Sequence, residues 1–365
     1  MKELLSDCRM QYINLEELLG RKTFHFNIKE VASYLKDETI MVTGGGGSVG
    51  SELCREIASF SPKMLIILDN YENNAYSIQT EILRKWPNLN LITAIANIRE
   101  RRRIDEIFKE YKPDIVFHAA AHKHVPLMEE NPSEAIKNNI FGTQNVAECA
   151  NKYHADKFIF ISTDKAVNPS NIMGATKCIA EIITQSCNNS CSMTKFSIVR
   201  FGNILGSSGS VIPLFIKQIE EGGPVTVTHP DVTRFFMTVH EAVQLVIQVG
   251  AMAKGREIFV LDMGQPIKIY DLARNLITLS GFVPDKDIEI VFTGLRPGEK
   301  LHEEILLEQK GLQPTSNSKI FVIYPANIDF EDLRKRIMIL KKMIIKNDSG
   351  VTDYLQHMVP ICNIQ

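Results

Sequence analysis

The sequence predicts an α/β fold: a doubly wound parallel sheet carrying a smaller C-terminal lobe. Three features carry this prediction. Short apolar runs alternate with helix-length segments from residue 39 to about 200, a glycine-rich loop follows the first run, and the alternation loosens beyond residue 203. The runs expected as strands are Thr39–Thr43, Met64–Leu68, Leu91–Ala96, Ile115–His118, Phe158–Ser162 and Phe196–Arg200. They are nearly continuous in Ile, Val, Leu and Phe, as befits strands buried on both faces of a parallel sheet. Parallel neighbours need crossovers, and amphipathic stretches such as Gly50–Phe60 and Asn138–Tyr153 are expected to supply the helices.

Past residue 203, Gly206, Gly209, Pro213, Gly222, Gly223, Pro224 and Pro230 punctuate the chain, and Val225–Thr228 reads as a short strand. The expected organisation is an N-terminal helical extension (1–38), a sheet domain (39–203), a ligand-binding lobe interleaved with the end of the sheet (204–325) and a C-terminal helical segment (326–365). In that last segment Leu333, Ile337, Leu340 and Ile344 recur at helical spacing opposite Arg334, Lys335, Lys341 and Lys342. An amphipathic helix packed on the body or on a sister subunit is expected there, with a membrane-surface helix as the lesser alternative.

Composition narrows the class. The 365 residues are 44% hydrophobic with a formal net charge of −2, so a sizeable core is available and no global basic field invites nucleic acid. No run approaches the roughly 20 apolar residues that span a bilayer, and the first residues lack the apolar stretch of a signal peptide. Seven cysteines, an odd number, suit a reducing cytoplasm rather than a disulfide framework. Cys187 and Cys191 are the only close pair, with nothing nearby to complete a metal set.

The first strand runs into Gly44-Gly45-Gly46-Gly47-Ser48-Val49-Gly50, with a helix expected from about Ser51. Such a loop turns tightly, brings backbone against a pyrophosphate and places its charge on a helix N-terminus. Gly44, Gly47, Ser48, Val49 and Gly50 are therefore expected to hold a dinucleotide in a Rossmann fold. Asp69 closes the second strand nineteen residues past Gly50, where a carboxylate accepts from an adenosine ribose and repels a 2′-phosphate. No arginine follows it, which favours NAD over NADP. Asn97 and Ile98 are placed to edge the adenine, and Ala119, Ala120 and Ala121 offer small side chains beside the cofactor. Lys123 and His124, just past the fourth strand, are expected to line a substrate crevice. His118, His122 and His124 are not expected to hold a metal, since His118 should sit inside its strand.

The stretch Ile161 to Lys177 leaves the carboxyl end of the fifth strand, where open α/β sheets place their chemistry. Thr163, Asp164 and Lys165 put a hydroxyl, an acid and a base side by side there. Asn168-Pro169 breaks any helix, and a new helix is expected to carry Met173 and Lys177 on one face. Short-chain dehydrogenases usually have Tyr-x-x-x-Lys at this place, the phenol acting as base while the lysine lowers its pKa and holds the nicotinamide ribose. Met173 stands in the tyrosine slot and cannot exchange a proton. Arg234 and Arg296 can each bind a diphosphate bidentately, and Glu299 can accept from ribose hydroxyls or pair with Lys300 or Arg296. Arg101, Arg102 and Arg103 read as a solvated helix face.

On LEELLGR, MVTGGGGSVGSELCREI, HAAAHKHVPLMEENP, ISTDKAVNPSNIMGATK, VRFGNILGSSGSVIPLF, VTRFFMT and GLRPGEKLHEE, the chain resembles the polysaccharide-biosynthesis nucleotide-sugar 4,6-dehydratases. The resemblance covers nearly the whole chain and is to the UDP-N-acetylglucosamine 4,6-dehydratase family of extended short-chain dehydrogenases, in the branch that has Met for Tyr and retains C5. It implies tightly bound NAD, regenerated at each turnover, as an internal hydride shuttle. It further implies Lys165 as base for the C5 proton, Asp164 as acid for the C6 hydroxyl and Lys177 as supporting charge. Thr163, Asp164 or a water takes the C4 hydroxyl proton. Asn203, with Ser207, Val211 and Pro213 in the following loop, would contact the nucleotide. Asn97 departs from the family's usual aspartate. A homo-oligomer is implied, and because the relatives are often anchored by N-terminal membrane helices, a soluble short form is expected. Two alternatives stand beside this: an epimerase on the same substrate, and a non-catalytic NAD-binding protein.

Overall fold

The computed structural model describes Leu18 and residues 31–188, 192–304, 311–325 and 330–359. Most of the expected N-terminal extension, LEELLGR apart from Leu18, and Cys191 lie outside the described residues.

Six parallel strands form the body of a nine-stranded sheet: β1 (Thr39–Thr43), β2 (Met64–Asp69), β3 (Leu91–Ile95), β4 (Ile115–His118), β5 (Lys157–Ile161) and β6 (Lys195–Arg200). β1 lies between β2 and β4, so the order reads 3-2-1-4-5-6. Ile258–Leu261 adds parallel to β6, and the short antiparallel strands Ile320–Ile323 and Gln313–Pro314 finish that edge. The apolar runs sit where the sequence predicts them, with β5 and β6 each starting one residue early. Outside the edge strand β3, whose Ile95 is exposed, most of their side chains are buried: Phe117, Phe158, Phe160 and Phe196 are fully enclosed. The strand order reverses between β1 and β4, and an open α/β sheet binds ligands at such a reversal, beyond the carboxyl ends of its strands.

Two helical predictions need correction. The helix after the glycine loop is Ser48–Ala58, starting three residues before Ser51, because Gly47 already has the extended geometry of an N-cap. The stretch expected as one amphipathic helix from Asn138 begins as a π-helical segment, Ile136–Gly142, before the α-helix Thr143–Lys152. The wider turn leaves Asn138 and Asn139 buried but hydrogen-bonded, an arrangement that 3.6-residue spacing does not announce.

The chain divides into two compact units. One comprises Asn27–Phe201, Val243–Asp262 and Glu304–Gln365 and contains the sheet. The other is built from Gly202–Ala242 and Met263–Glu303, with Leu18 in its core. In that second unit Val225–Val227 pairs parallel with Ile290–Phe292, and helices Val211–Glu220 and Ile269–Leu279 bury Phe215, Leu272 and Leu276.

Helix Phe330–Lys346 buries Leu333, Ile337, Leu340 and Ile344, the four positions its spacing predicts. They join one apolar cluster with Ile172, Met173 and Ile179. Cys54, Cys149 and Cys187 are free thiols, whereas Cys178 is disulfide-bonded, against the expectation of reduced cysteines throughout. Among the described residues no helix is long and apolar enough to cross a membrane.

Leu340→Ala should cost about 2–5 kcal/mol, since the side chain is fully enclosed and a cavity would remain. Met338→Ala, on the exposed side of the same helix, should stay within about 0.5 kcal/mol of the parent. Urea unfolding of the two variants checks both values.

Candidate active site

The glycine loop turns at Gly44, whose φ of +66° is left-handed. A Cβ on Gly50 would lie 2.0 Å from the Gly44 carbonyl oxygen, so only glycine lets the helix start against the end of β1. Gly47 caps this helix with no side-chain hydrogen bond, and the helix N-terminus beyond it is the kind of place that holds a ligand anion. Asp69 is nearly buried and faces the loop: Oδ2 accepts from the Gly46 N–H at 2.8 Å and Oδ1 from the Tyr71 N–H at 2.9 Å. A glycine cradle, a helix N-terminus and the Asp69 side chain beside it fit the pyrophosphate and ribose of NAD.

The flanking loops are tied down by side chains that sequence patterns alone do not single out. Thr43 and Thr143 hydroxyls contact the two ring nitrogens of His118 at 2.6 and 3.0 Å, and burial pushes this imidazole down to about 3. His118 is thus a neutral core residue. Asn139 accepts from the His122 N–H at 2.8 Å and donates to the His122 carbonyl at 3.0 Å, fixing the loop that carries Ala119, Ala120 and Ala121. Lys123 and His124 follow on exposed backbone. Ile98 is buried, in contact range of Gly142, while Asn97 turns its Oδ1 onto the Arg99 N–H and Nε.

At the end of β5, Asp164–Ala166 forms a single 3-10 turn. Asp164 is 2% exposed, and its Oδ1 accepts from the Thr163 hydroxyl at 2.8 Å and from Lys165 Nζ at 3.1 Å. Asn168 then takes a φ of +42°, and helix Ile172–Ser186 starts on two caps. Asn171 Oδ1 accepts from the Gly174 N–H, and Glu129 Oε1 accepts from the Ile172 N–H, both at 2.7 Å. A Cβ on Gly174 would come within 2.3 Å of the Lys165 carbonyl oxygen, so this helix and the acid–base turn touch backbone to backbone. Met173 is 2% exposed and packs in the apolar cluster, as a thioether with no proton to give should.

Lys177 lies one turn further on. Its Nζ donates to the Ile161 carbonyl at 2.7 Å and stands 3.8 Å from the Phe160 ring centre. Burial lowers its pKa to about 7, against a smaller raising effect of Glu181.

In the second unit, Arg234 lies between two acids that touch it at 3.0 Å (Glu299 Oε1) and 3.4 Å (Glu303 Oε1). Glu299 also accepts from the Arg296 Nε at 3.2 Å and from the Thr228 hydroxyl at 3.1 Å. Of the pairings open to Glu299 in the sequence, Arg296 is realised. Burial is the largest single influence and pushes its carboxyl up, but the hydrogen bonds and charge of Arg296 with the charge of Arg234 together outweigh it and hold the carboxyl below the usual range. Asn203 joins through Nδ2 to Glu303 at 3.0 Å. Glu303 was not singled out by sequence, although it lies four residues past Glu299. Arg296 remains exposed, and Ser207, Val211 and Pro213 lie where a turn leads into helix Val211–Glu220. Arg101, Arg102 and Arg103 form an exposed helix face paired with Glu106 and Glu148.

Fold and loop together define a Rossmann-type α/β protein, with strand order 3-2-1-4-5-6 and a glycine cradle at the first strand–helix junction. The chain belongs to the polysaccharide biosynthesis protein family, whose model matches residues 40–325. It is 56% identical over 298 residues to the capsular polysaccharide biosynthesis protein CapD of Staphylococcus aureus, covering 81% of this chain and 50% of CapD. The chain therefore spans about half the length of that relative. It is 35% identical over 276 residues to a UDP-N-acetylglucosamine 4,6-dehydratase (inverting) of Campylobacter jejuni, covering 73% of this chain and 76% of the relative. Among solved structures, Pen from Bacillus thuringiensis matches with a TM-score of 0.73 and 36% identity, over 80% of this chain and 90% of Pen. Its relatives thus include a UDP-N-acetylglucosamine 4,6-dehydratase and a UDP-glucose 4-epimerase, the latter from Rickettsia canadensis at 36% identity over 74% of this chain and 78% of the relative.

A pH series tests the Lys177 environment. The folded ligand-free protein gives up this proton near pH 7 and the unfolded chain near 10.5. Between those values the unfolded state binds more protons, so stability should rise with pH across that window. Below pH 7 both states are protonated and the burial cost is felt in full. Urea unfolding at several pH values should show this rise in the parent and lose it in Lys177→Met.

Proposed function

We propose that the protein is an NAD-dependent nucleotide-sugar 4,6-dehydratase. It acts on UDP-N-acetylglucosamine and forms the UDP-4-keto-6-deoxy-N-acetylhexosamine with release of water. The observation that carries this is the Thr163–Asp164–Lys165 hydrogen-bonded set at the carboxyl end of β5, beside a methionine where a tyrosine would serve alcohol oxidation.

Gly44, Gly47, Ser48, Val49, Gly50 and Asp69 would hold NAD, which would supply a hydride acceptor and donor, so that oxidation at C4 and reduction at C6 would leave no net redox change. A ketone at C4 acidifies the C5 hydrogen and makes loss of the C6 hydroxyl feasible. The protein must then move three protons. The C4 hydroxyl proton passes through the Thr163 hydroxyl to Asp164, along the 2.8 Å hydrogen bond already present. Asp164, now a carboxylic acid, donates to the departing C6 oxygen. Lys165, as the amine, takes the C5 proton and returns it to C5 once C6 is reduced. Asp164 and Lys165 both finish as they began. One base serving one face implies retention at C5, whatever the outcome in the inverting relative. Lys177 contributes positive charge and a hold on the nicotinamide ribose. In the second unit Arg234 and Arg296 would bind the diphosphate, with Glu299 and Asn203 on the nucleoside. The same proposal places the enzyme in the cytoplasm as a homo-oligomer, serving a surface glycan.

Incubation with UDP-N-acetylglucosamine in deuterium oxide, followed by NMR, decides the reaction. A 4-keto-6-deoxy sugar deuterated at C5 with unchanged configuration is expected; an inverted centre at C4 or C3 with C6 intact would make the protein an epimerase. Asp164→Asn and Lys165→Ala should each slow water loss by at least about 100-fold. Both should leave NAD affinity within about twofold by calorimetry, since neither residue belongs to the glycine cradle. Ordinary turnover by either variant ends the scheme.

A further inference from the structure

Glu181 and Arg200 lie outside the acid–base set. Glu181 is four residues, about one turn, beyond Lys177 on helix Ile172–Ser186, and Arg200 closes β6. Each side chain is 4% exposed. The guanidinium meets the carboxylate as a fork, Nε to Oε1 at 3.0 Å and Nη2 to Oε2 at 2.6 Å. A third donor shares the carboxylate: the Ser162 hydroxyl, 2.5 Å from Oε1.

A buried ion pair is poor evidence of a purely stabilising role, because apolar residues of the same volume often serve as well or better. An apolar pair could not hold the Ser162 hydroxyl. Ser162 is the last residue before Thr163, and its own N–H donates to Val199 at 2.7 Å, while the Asp164 N–H donates to Phe201 at 3.1 Å. The end of β5 is therefore tied to the β6 side through backbone and to the Lys177 helix through Glu181.

We infer that Glu181, oriented by Arg200, is a positioning residue that fixes Ser162 and, through it, the register of the Thr163–Asp164–Lys165 turn against Lys177. It touches neither substrate nor cofactor. The inference rests on the dehydratase proposal for its kinetic consequence, though not for the clamp itself.

Ser162→Ala removes the third hydrogen bond and leaves the ion pair whole, so it tests the clamp without burying a lone charge. We expect kcat for UDP-N-acetylglucosamine dehydration to fall about tenfold, the order expected from a small misplacement of reacting groups. KM and NAD affinity should stay within about twofold. Hydrogen exchange of the Asp164 and Ala166 amides should quicken, and Ser162→Thr, which keeps the hydroxyl, should recover most of both losses. Glu181→Gln should move kcat and exchange in the same direction. Parental kcat and parental exchange in Ser162→Ala would overturn the inference, as would a Ser162→Thr variant no better than Ser162→Ala. If the parent protein does not dehydrate the sugar nucleotide, it is the proposed function that fails, and the exchange rates still decide whether the clamp exists.

Discussion

A Cβ on Gly50 would lie 2.0 Å from the Gly44 oxygen, and one on Gly174 would lie 2.3 Å from the Lys165 oxygen. At both places backbone packs on backbone, and much of the site hangs from these two contacts. The first joins β1 to its helix where the strand order reverses. The second joins helix Ile172–Ser186 to the turn at the end of β5. Neither contact tolerates a methyl group without displacing main chain, so the ligand cradle and the acid–base turn are held by the fold's least adjustable parts. Function placed at strand ends needs this rigidity, because proton transfer fails when donor and acceptor drift by much less than a side-chain length.

The second ordering principle is that charge near the site is bound to opposite charge or to a carbonyl. Lys165 and Asp164 pair, Arg200 and Glu181 pair, Arg234 contacts both Glu299 and Glu303, and Lys177 donates to the Ile161 carbonyl. Buried charges left alone would be driven neutral. Here each has a partner, although for Lys177 burial still lowers the pKa to about 7. Glu299 and Glu303 hold the Arg234 guanidinium in advance, so that under the proposed function a diphosphate would meet a fixed group at the cost of competing with carboxylates. That competition favours a ligand with more than one negative oxygen to offer.

Much of this was legible in the sequence. The six parallel strands, the glycine cradle, Asp69 and the β5-to-Lys177 segment all announce themselves through local pattern, because each depends on residues close together in the chain. What stayed hidden depends on distance or on an unusual turn. Glu129 caps the catalytic helix from 43 positions away. Glu181 and Arg200 share no local pattern, and only the packing of helix Ile172–Ser186 on β6 brings them together in the interior. The π-helical turn at Ile136–Gly142 follows no residue code, yet it aims Asn139 at the loop after β4. Cys178 is another case, since spacing gives no sign of its disulfide.

Met173 gathers these strands of the argument. In the tyrosine enzymes the same position supplies a proton acceptor that faces the reacting hydroxyl. Here it is 2% exposed in a cluster with Ile172, Ile179 and Leu340, and its helix position is set by Gly174, Asn171 and Glu129. The slot has become part of the core. The proposed dehydration therefore routes its protons through the neighbouring turn, where the Thr163 hydroxyl, the Asp164 carboxyl and the Lys165 amino group are joined in one hydrogen-bonded chain. A tyrosine suits a reaction that moves one proton off one hydroxyl. Elimination followed by reduction moves protons at three atoms of the sugar, and a chain of three groups can take each up and hand it back. The loss of the phenol is therefore consistent with a gain in proton-handling capacity, lodged in residues that ordinary alcohol oxidation would not need.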